Sequence, residues 1–174
     1  MWLQKVGKKG RLLGILLGII IFLQGCLKND ADVYDPNKVL EEDLVKIDQY
    51  ISDKNWTASI EPEFKIRYVI HKPGDQNVKA EVGDSLTVDY QGELLDGTIF
   101  DSSAGRGPLE FVLGNGSLIV GFEAGVSQLH EMDSATILIP SVYAYGNSGA
   151  GTAIPPNAPI IFGLDVLSVK KSGQ

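Results

Sequence analysis

Apolar residues recur at two different spacings along the chain, and each spacing predicts a different element. Between residues 37 and 53 they recur every three or four positions, as on one face of an amphipathic helix, at Leu40, Leu44, Ile47 and Ile51. Asp35 and Pro36 suit the N-cap and the first helical position. We therefore predict a helix over residues 37–53, with the acidic run 41–43 complementing the dipole of its first turn. Its apolar stripe is expected to dock on the following domain rather than on a second chain, because amphipathic helices mostly cover cores.

Residues 63–71 switch to strict alternation, which predicts a half-buried strand. Its two faces are predicted as Phe64, Ile66, Tyr68 and Ile70 toward the core and Lys65, Arg67 and His71 toward solvent. Shorter patterns predict further strands near residues 86–90, 135–139 and 160–169, and residues 119–131 have the spacing of a second helix. These elements predict the α+β class, with an antiparallel sheet wrapped around one short helix and an N-terminal helical extension.

The first 25 residues are typical of a targeting segment. Four basic residues and no acidic residue precede or flank an apolar run over residues 12–23, which is short for a transmembrane span of roughly 20 residues. A secretory signal is therefore favoured over an anchor helix. The run ends in Leu23-Gln24-Gly25-Cys26, which resembles the bacterial lipobox and implies cleavage before Cys26 and diacylglycerol on its thiol. Cys26 is the only cysteine, so an intrachain disulfide is excluded.

This pattern divides the chain into four predicted segments. They are a lipoprotein signal peptide at 1–25, a polar tether at 26–35, a helical extension at 36–62 and the main domain at 63–174. Lipid on Cys26 would hold the mature protein on a membrane although its own residues are expected to form a soluble domain. We expect it at the bacterial cell envelope, on the outer membrane or facing the periplasm.

Charge and composition exclude several kinds of partner. The whole chain has a net charge of −7, and the residues after position 25 have 11 basic against 22 acidic side chains. Such a surface repels nucleic acid. His71 and His130 are far apart and have no cysteine partners at ligand spacing, so no metal site is predicted. The run Gly114-Asn115-Gly116 lacks the lysine of a phosphate loop, and no cofactor is predicted.

An ordered set of motifs between residues 80 and 170 carries more information than any one of them. In chain order they are Val88-Asp-Tyr90-Gln-Gly92, Leu94-Leu-Asp96-Gly97, Phe100-Asp101-Ser102-Ser103, Phe111-Val-Leu113-Gly114, Leu118-Ile119-Val-Gly121-Phe122, Tyr143-Ala144-Tyr145-Gly146, Ile154-Pro155-Pro156 and Phe162. Together they resemble the FKBP-type peptidyl-prolyl cis-trans isomerases. The resemblance implies an FKBP-like fold, polypeptides with X-Pro bonds as substrates, no cofactor, and binding of macrolide inhibitors.

The resemblance also implies a site, whose residues are mostly apolar because proline isomerisation breaks no bond. The implied catalytic residues are Tyr90, Phe100, Asp101, Phe111, Ile119, Phe122, Tyr145 and Phe162. Leu118, Ile154 and Arg106 are implied to bind substrate. Tyr145 is expected to donate its hydroxyl to a substrate carbonyl, as is the backbone N–H of Ile119. Asp101 is expected to pair with Tyr90 or Arg106.

Several positions depart from the family's pattern. Phe122 stands where the family most often has tryptophan, Leu109 where it usually has phenylalanine, and Met132 where a glycine with positive φ is usual. Ala150 and Ala153 are smaller than is common, which implies weak contacts beside the proline. Two other readings stay open: a proline-binding chaperone or interaction module with little turnover, and a structural lipoprotein that dimerises through its first helix.

Overall fold

The computed structural model describes residues 34–173. The predicted signal peptide, Cys26 and most of the predicted tether therefore lie outside the described residues. The helices and strands, numbered in chain order, are α1 (Pro36–Asp53), β1 (Ser59–Ile60), β2 (Arg67–Lys72), β3 (Asp75–Lys79), β4 (Ser85–Leu94), β5 (Ile99–Ser102), β6 (Leu109–Val112), α2 (Val120–Val126), β7 (His130–Glu131), β8 (Ser134–Ile139) and β9 (Ile160–Lys170). Two 3₁₀ turns, Ser141–Tyr143 and Gly146–Ser148, follow β8. Within the described range, no helix is both long and apolar enough to cross a membrane.

The sheet is antiparallel throughout and confirms the predicted α+β class. Six strands run in the order β1-β2-β8-β9-β4-β5, with β6 also paired to β4, while β3 and β7 form a separate two-stranded sheet. The main core lies on the inner face of the large sheet, where α2 packs through Phe122 and Val126. Close packing of this helix requires glycine at two positions, since a Cβ on Gly121 or Gly125 would lie 2.3 Å from Ile139 or 2.9 Å from Ile137.

The first helix covers the predicted residues and begins one residue earlier than predicted, at Pro36. Asp35 caps it by accepting a hydrogen bond from the N–H of Asn37 at 2.9 Å, and Pro36 is the first helical residue. The first turn ends before residue 41, so the acidic run 41–43 lies beyond it, contrary to the prediction. One of its members, Asp43, is fully buried.

Helix α1 docks on the outer face of the sheet, as predicted from its apolar stripe. Ile47 and Ile51 are buried there against Leu138 of β8 and Ile161 of β9. This second cluster is small and includes Trp56, whose ring packs edge-on near Tyr50 and His71. Tyr34–Gln174 accordingly forms one compact unit.

The predicted faces of the segment that contains β2 are confirmed in part. Phe64, Ile66 and Tyr68 pack in the main core as predicted. The predictions for Ile70 and Arg67 are wrong, and helix α1 explains the burial of Arg67. The strand starts at Arg67 rather than at residue 63, and Arg67 and Val69 are buried whereas Ile70 is 37% exposed. Alternation predicts a single buried face, but this strand is covered by the main core on one side and by α1 on the other. Covering on both sides removes the simple relation between alternation and burial.

Helix α2 is shorter than the predicted 119–131, since the chain leaves the helix at Ser127. The following residues turn so that His130 and Glu131 pair with β3, and the Asp133 carboxylate accepts the N–H of His130 at 2.7 Å. Met132 adopts a φ of +64° in this turn. The turn is thus kept, and a residue with a Cβ tolerates a conformation that normally favours glycine.

Candidate active site

A cavity of about 300 Å³ opens on the inner face of the sheet, between β4, the start of α2 and the 3₁₀ turns. Its walls combine aromatic and aliphatic side chains with one carboxylate. The lining residues are Tyr90, Asp101, Leu109, Ser117, Leu118, Ile119, Phe122, Tyr145 and Phe162. None of these described residues is a cysteine, histidine or lysine, and the wall is mostly aromatic and aliphatic, which suits the binding of an apolar group.

Phe122 and Phe162 form the deep apolar end of the cavity. Phe122 is only 3% exposed, and its ring packs edge-to-face on Phe162 with centroids 5.0 Å apart. The Tyr90 ring also lies against Phe162, with centroids 6.0 Å apart. Such tilted aromatic pairs are favourable, and they hold the rings in fixed positions.

A polar cluster stands at the rim of this apolar cavity. The hydroxyl of Tyr90 donates to Asp101 Oδ2 at 2.7 Å, and the N–H of Ser102 donates to Asp101 Oδ1 at 2.9 Å. Arg106 pairs with Asp101 through its guanidinium, donates to the Tyr90 hydroxyl at 3.1 Å and to the Ser102 carbonyl at 3.0 Å through Nε. The carboxylate is therefore held by both partners that the resemblance implied.

These contacts decide the charge of the cluster. Burial raises the pKa of the Asp101 carboxyl, but hydrogen bonds from Tyr90 and Arg106 outweigh it, so the pKa lies below the ordinary value. Burial, followed by hydrogen bonding to Asp101 and its charge, raises the pKa of Tyr90. Burial and the charge of Asp101 likewise raise the pKa of Tyr145. At neutral pH the site holds one carboxylate and two protonated phenols.

Two hydrogen-bond donors face the cavity without an acceptor of their own. Within residues 34–173, the Tyr145 hydroxyl makes no hydrogen bond. The backbone N–H of Ile119, at the N-cap of α2, is likewise without a backbone acceptor in this range. Both are the donors that the resemblance implied for substrate carbonyls.

The other implied residues lie behind or beside the cavity rather than in its wall. Phe100 packs edge-on against Phe162 at 5.7 Å, and Phe111 packs against Phe122 at 5.8 Å. Ile154 is 4% exposed and bridges to Ala150, and Arg106 reaches the cavity only through its contacts with Asp101 and Tyr90.

Two wall residues were not in the implied set. Leu109 was noted only as a departure from the family's pattern, and Ser117 was not singled out. Ser117 directly precedes the Leu118-Ile119 motif, which was the available signal.

Comparison with known proteins agrees with this geometry. A family model described as FKBP-type peptidyl-prolyl cis-trans isomerase matches residues 76–167. This chain belongs to that family. It is an FKBP-type peptidyl-prolyl cis-trans isomerase domain, and the matched range contains every residue of the cavity wall.

Individual FKBP proteins show the same relationship. FK506-binding protein 2 of Yarrowia lipolytica is 40% identical over 103 residues, which are 59% of this chain and 72% of that protein. The peptidyl-prolyl cis-trans isomerase Fkbp12 of Drosophila melanogaster is 40% identical over 99 residues, 56% of this chain and 92% of that protein. The crystal structure of FkpA from Escherichia coli matches with a TM-score of 0.63 at 27% identity, covering 78% of this chain and 63% of FkpA.

Proposed function

We propose that this FKBP-type isomerase acts at the bacterial cell envelope, where it assists the folding of exported polypeptides by turning over their X-Pro bonds. The observation that carries the catalytic part is the aromatic cavity, at whose edge two donors have no acceptor within residues 34–173. The envelope location is supported by the basic and apolar first 25 residues and by the lipobox-like sequence that ends in Cys26. Residues 26–35 then serve as the tether, 36–62 as the helical extension and 63–174 as the isomerase domain.

The catalytic task is to stabilise a twisted amide. Rotation about a peptide bond loses resonance and has a barrier of ~18–20 kcal/mol, and X-Pro bonds are the ones that populate both isomers. A catalyst must bind the twisted form better than either planar form. The substrate proline enters the apolar end formed by Phe122 and Phe162, where water that hydrogen-bonds to the planar amide is excluded.

Polar groups at the rim orient the chain on either side of the proline. The Tyr145 hydroxyl and the Ile119 N–H each donate to a substrate carbonyl, which fixes the ends while the imide bond rotates. The Asp101 carboxylate stays ionised between Tyr90 and Arg106, and it supplies a fixed charge beside the rotating amide. The same cavity admits FK506-type macrolides, the ligand for which several similar proteins are named.

The catalytic assignment is tested by a proline isomerisation assay on short X-Pro peptides, using the full chain in detergent. Tyr145→Phe is expected to lower kcat/KM about fivefold, because one lost hydrogen bond is worth about 1 kcal/mol. Asp101→Val is expected to lower it as well. Tyr143→Phe is the matched control. It also removes a tyrosine hydroxyl, two residues before Tyr145, but the Tyr143 ring packs on Phe64 and is not part of the cavity wall.

The assay separates this proposal from the binding-module reading. Wild-type isomerisation no faster than the uncatalysed reaction, which takes tens of seconds, would contradict turnover. Suppression of client aggregation that persists in Tyr145→Phe and Asp101→Val would then assign the cavity to chaperone binding alone.

The lipid anchor is tested separately in a bacterial host that processes lipoproteins. Wild-type protein is expected to incorporate labelled palmitate and to sediment with membranes. Cys26→Ser should incorporate no palmitate and should not be anchored to membranes by lipid. Unlabelled wild-type protein would contradict the anchor and leave the isomerase assignment intact.

A further inference from the structure

A buried carboxylate connects helix α1 with the segment that carries Tyr145. Asp43 is completely buried, and its Oδ2 accepts hydrogen bonds from both the N–H and the hydroxyl of Ser141, the former at 2.8 Å. Its Oδ1 faces the Lys46 ammonium at 3.2 Å. A buried carboxylate is costly unless it is paired and hydrogen-bonded, so this contact fixes its partners in one arrangement.

Ser141 occupies the start of the segment that leads to the cavity. It ends the connection from β8 and opens the 3₁₀ turn Ser141–Tyr143, and Tyr145 follows in the cavity wall. Ser141 itself is 1% exposed. Its donors are therefore held by Asp43 rather than by water.

The same turn touches α2, the helix that carries Phe122 at the deep apolar end of the cavity. A Cβ on Gly121 would lie 2.9 Å from the Tyr143 carbonyl oxygen, so this glycine allows α2 and the turn to approach closely. The Phe64 ring also packs edge-on against the Tyr143 ring, with centroids 5.2 Å apart. With Asp43 at its first residue, the turn is fixed at both ends.

Asp43 lies outside the part of the chain that the family model matches, which begins at residue 76. The anchor for the Tyr145 segment thus comes from the N-terminal extension. We propose that Asp43 is a positioning residue for prolyl isomerisation: through Ser141 it holds the segment 141–145 so that the Tyr145 hydroxyl meets the substrate. This inference rests on the proposed role of Tyr145.

The test compares three single variants of the full chain at a temperature where each is folded by near-ultraviolet circular dichroism. Asp43→Ala is expected to lower kcat/KM about tenfold, since small displacements of a positioned group are costly to rate. Asp43→Asn should stay within about twofold of wild type, because the amide oxygen still accepts from both Ser141 donors. Asp48→Ala is the matched control on the same helix, as Asp48 pairs with Arg67 on β2 instead of with the Tyr145 segment.

A readout that does not depend on turnover is amide hydrogen exchange. Asp43→Ala should speed exchange across residues 141–149, whereas Asp48→Ala should leave that stretch unchanged. If Asp43→Ala fails to fold, Ser141→Ala replaces it, since it removes the hydroxyl bond and keeps the backbone bond. Ser141→Ala is expected to lower kcat/KM about threefold, because it removes one of the two hydrogen bonds between Ser141 and Asp43.

The outcomes separate this inference from the proposed function. Wild-type kcat/KM in Asp43→Ala together with an impaired Tyr145→Phe would overturn the positioning role and leave the role of Tyr145 standing. Equal losses in Asp43→Ala and Asp48→Ala would also overturn it, because general docking of α1 would then be the cause. Normal activity in Tyr145→Phe would instead remove the proposed function on which the inference rests.

Discussion

The two faces of the large sheet differ in how closely their side chains are packed. On the inner face, aromatic rings and α2 pack so closely that several glycines have no room for a Cβ. On the outer face, α1 covers one end with a small apolar cluster and leaves an open groove of about 550 Å³ beside it. That groove is lined mainly by polar residues, among them His71, Asp89, Gln91, Thr136 and Asp165. The inner face thus fixes the geometry of the cavity, and the outer face mainly holds the extension in place.

The sharpest test of this contrast uses two glycines on neighbouring strands. A Cβ on Gly92 would lie 2.6 Å from the Phe100 ring and 2.8 Å from the Phe162 ring. Gly92→Ala is therefore expected to cost about 1–3 kcal/mol in the free energy of unfolding, the usual range for overpacking. Because Phe162 lines the cavity, kcat/KM should fall roughly tenfold as the ring is displaced.

Gly163 is the matched control on the outer face. It pairs with Gln91, the neighbour of Gly92, and among residues 34–173 a Cβ there would meet nothing within 4 Å. Gly163→Ala should stabilise the fold by about 0.4–1 kcal/mol by restricting the unfolded chain, with unchanged kcat/KM. Urea unfolding and the isomerisation assay measure both. Similar destabilisation by the two alanines would show that the faces do not differ in tolerance.

A second prediction concerns the effect of acid on Asp101, at the rim of the cavity. Hydrogen bonds from Tyr90 and Arg106 lower the pKa of Asp101 despite its burial. The ionised carboxylate therefore stabilises the folded state at pH values above the ordinary aspartate pKa of about 3.9. That contribution is lost as the pH falls through the lowered pKa. The pKa values of Tyr90 and Tyr145 are raised, so neither phenol ionises below about pH 10.

We therefore expect kcat/KM to be flat from about pH 5 to pH 10 and to fall only in stronger acid. Asp101→Asn should have lower activity throughout and lack this acid limb, whereas Tyr145→Phe should keep it. Exchange spectroscopy of an X-Pro peptide measures the rate without a coupling protease. An acid limb that persists in Asp101→Asn would assign it to another group.

How far the sequence predicts the molecule also differs between the faces. The inner wall follows from the ordered motifs, because close packing and the cavity demand particular residue types at Tyr90, Phe122, Tyr145 and Phe162. The motifs do not distinguish residues that line the cavity from residues that pack behind its wall. Phe100 was expected in the wall and instead supports Phe162, since its place depends on the bulge where β4 pairs with β5.

The outer face was predicted less well because its contacts join distant segments. Alternation placed Arg67 toward solvent, yet α1 covers it and supplies Asp48 as its partner. The sequence predicts Asp43 as part of an acidic run at the first turn of the helix, yet Asp43 is buried against Ser141, 98 positions along the chain. Local spacing carries no information on such pairs, and only the docked helix reveals them.

The smallest effect is expected from the ion pair that fastens α1 to β2. Arg67 donates to both oxygens of Asp48, at 2.8 and 3.0 Å, and to the Lys65 carbonyl at 2.9 Å. Arg67→Met keeps the apolar stem and removes these bonds, so the free energy of unfolding should fall by about 1–2 kcal/mol. Since Arg67 faces away from the cavity, kcat/KM should stay at the wild-type value.

A double-mutant cycle of Arg67→Met with Asp48→Ala measures the coupling free energy of the ion pair alone. The lost bond to the Lys65 carbonyl cancels in the cycle, because Asp48 takes no part in it. Unfolding in urea gives the coupling, and the isomerisation assay is run on all four proteins. If Arg67→Met lowered kcat/KM as much as Asp43→Ala, the outer face as a whole would control the cavity. If only Asp43→Ala does so, control runs through the hydrogen bonds of Asp43 to Ser141 at the start of the Tyr145 segment.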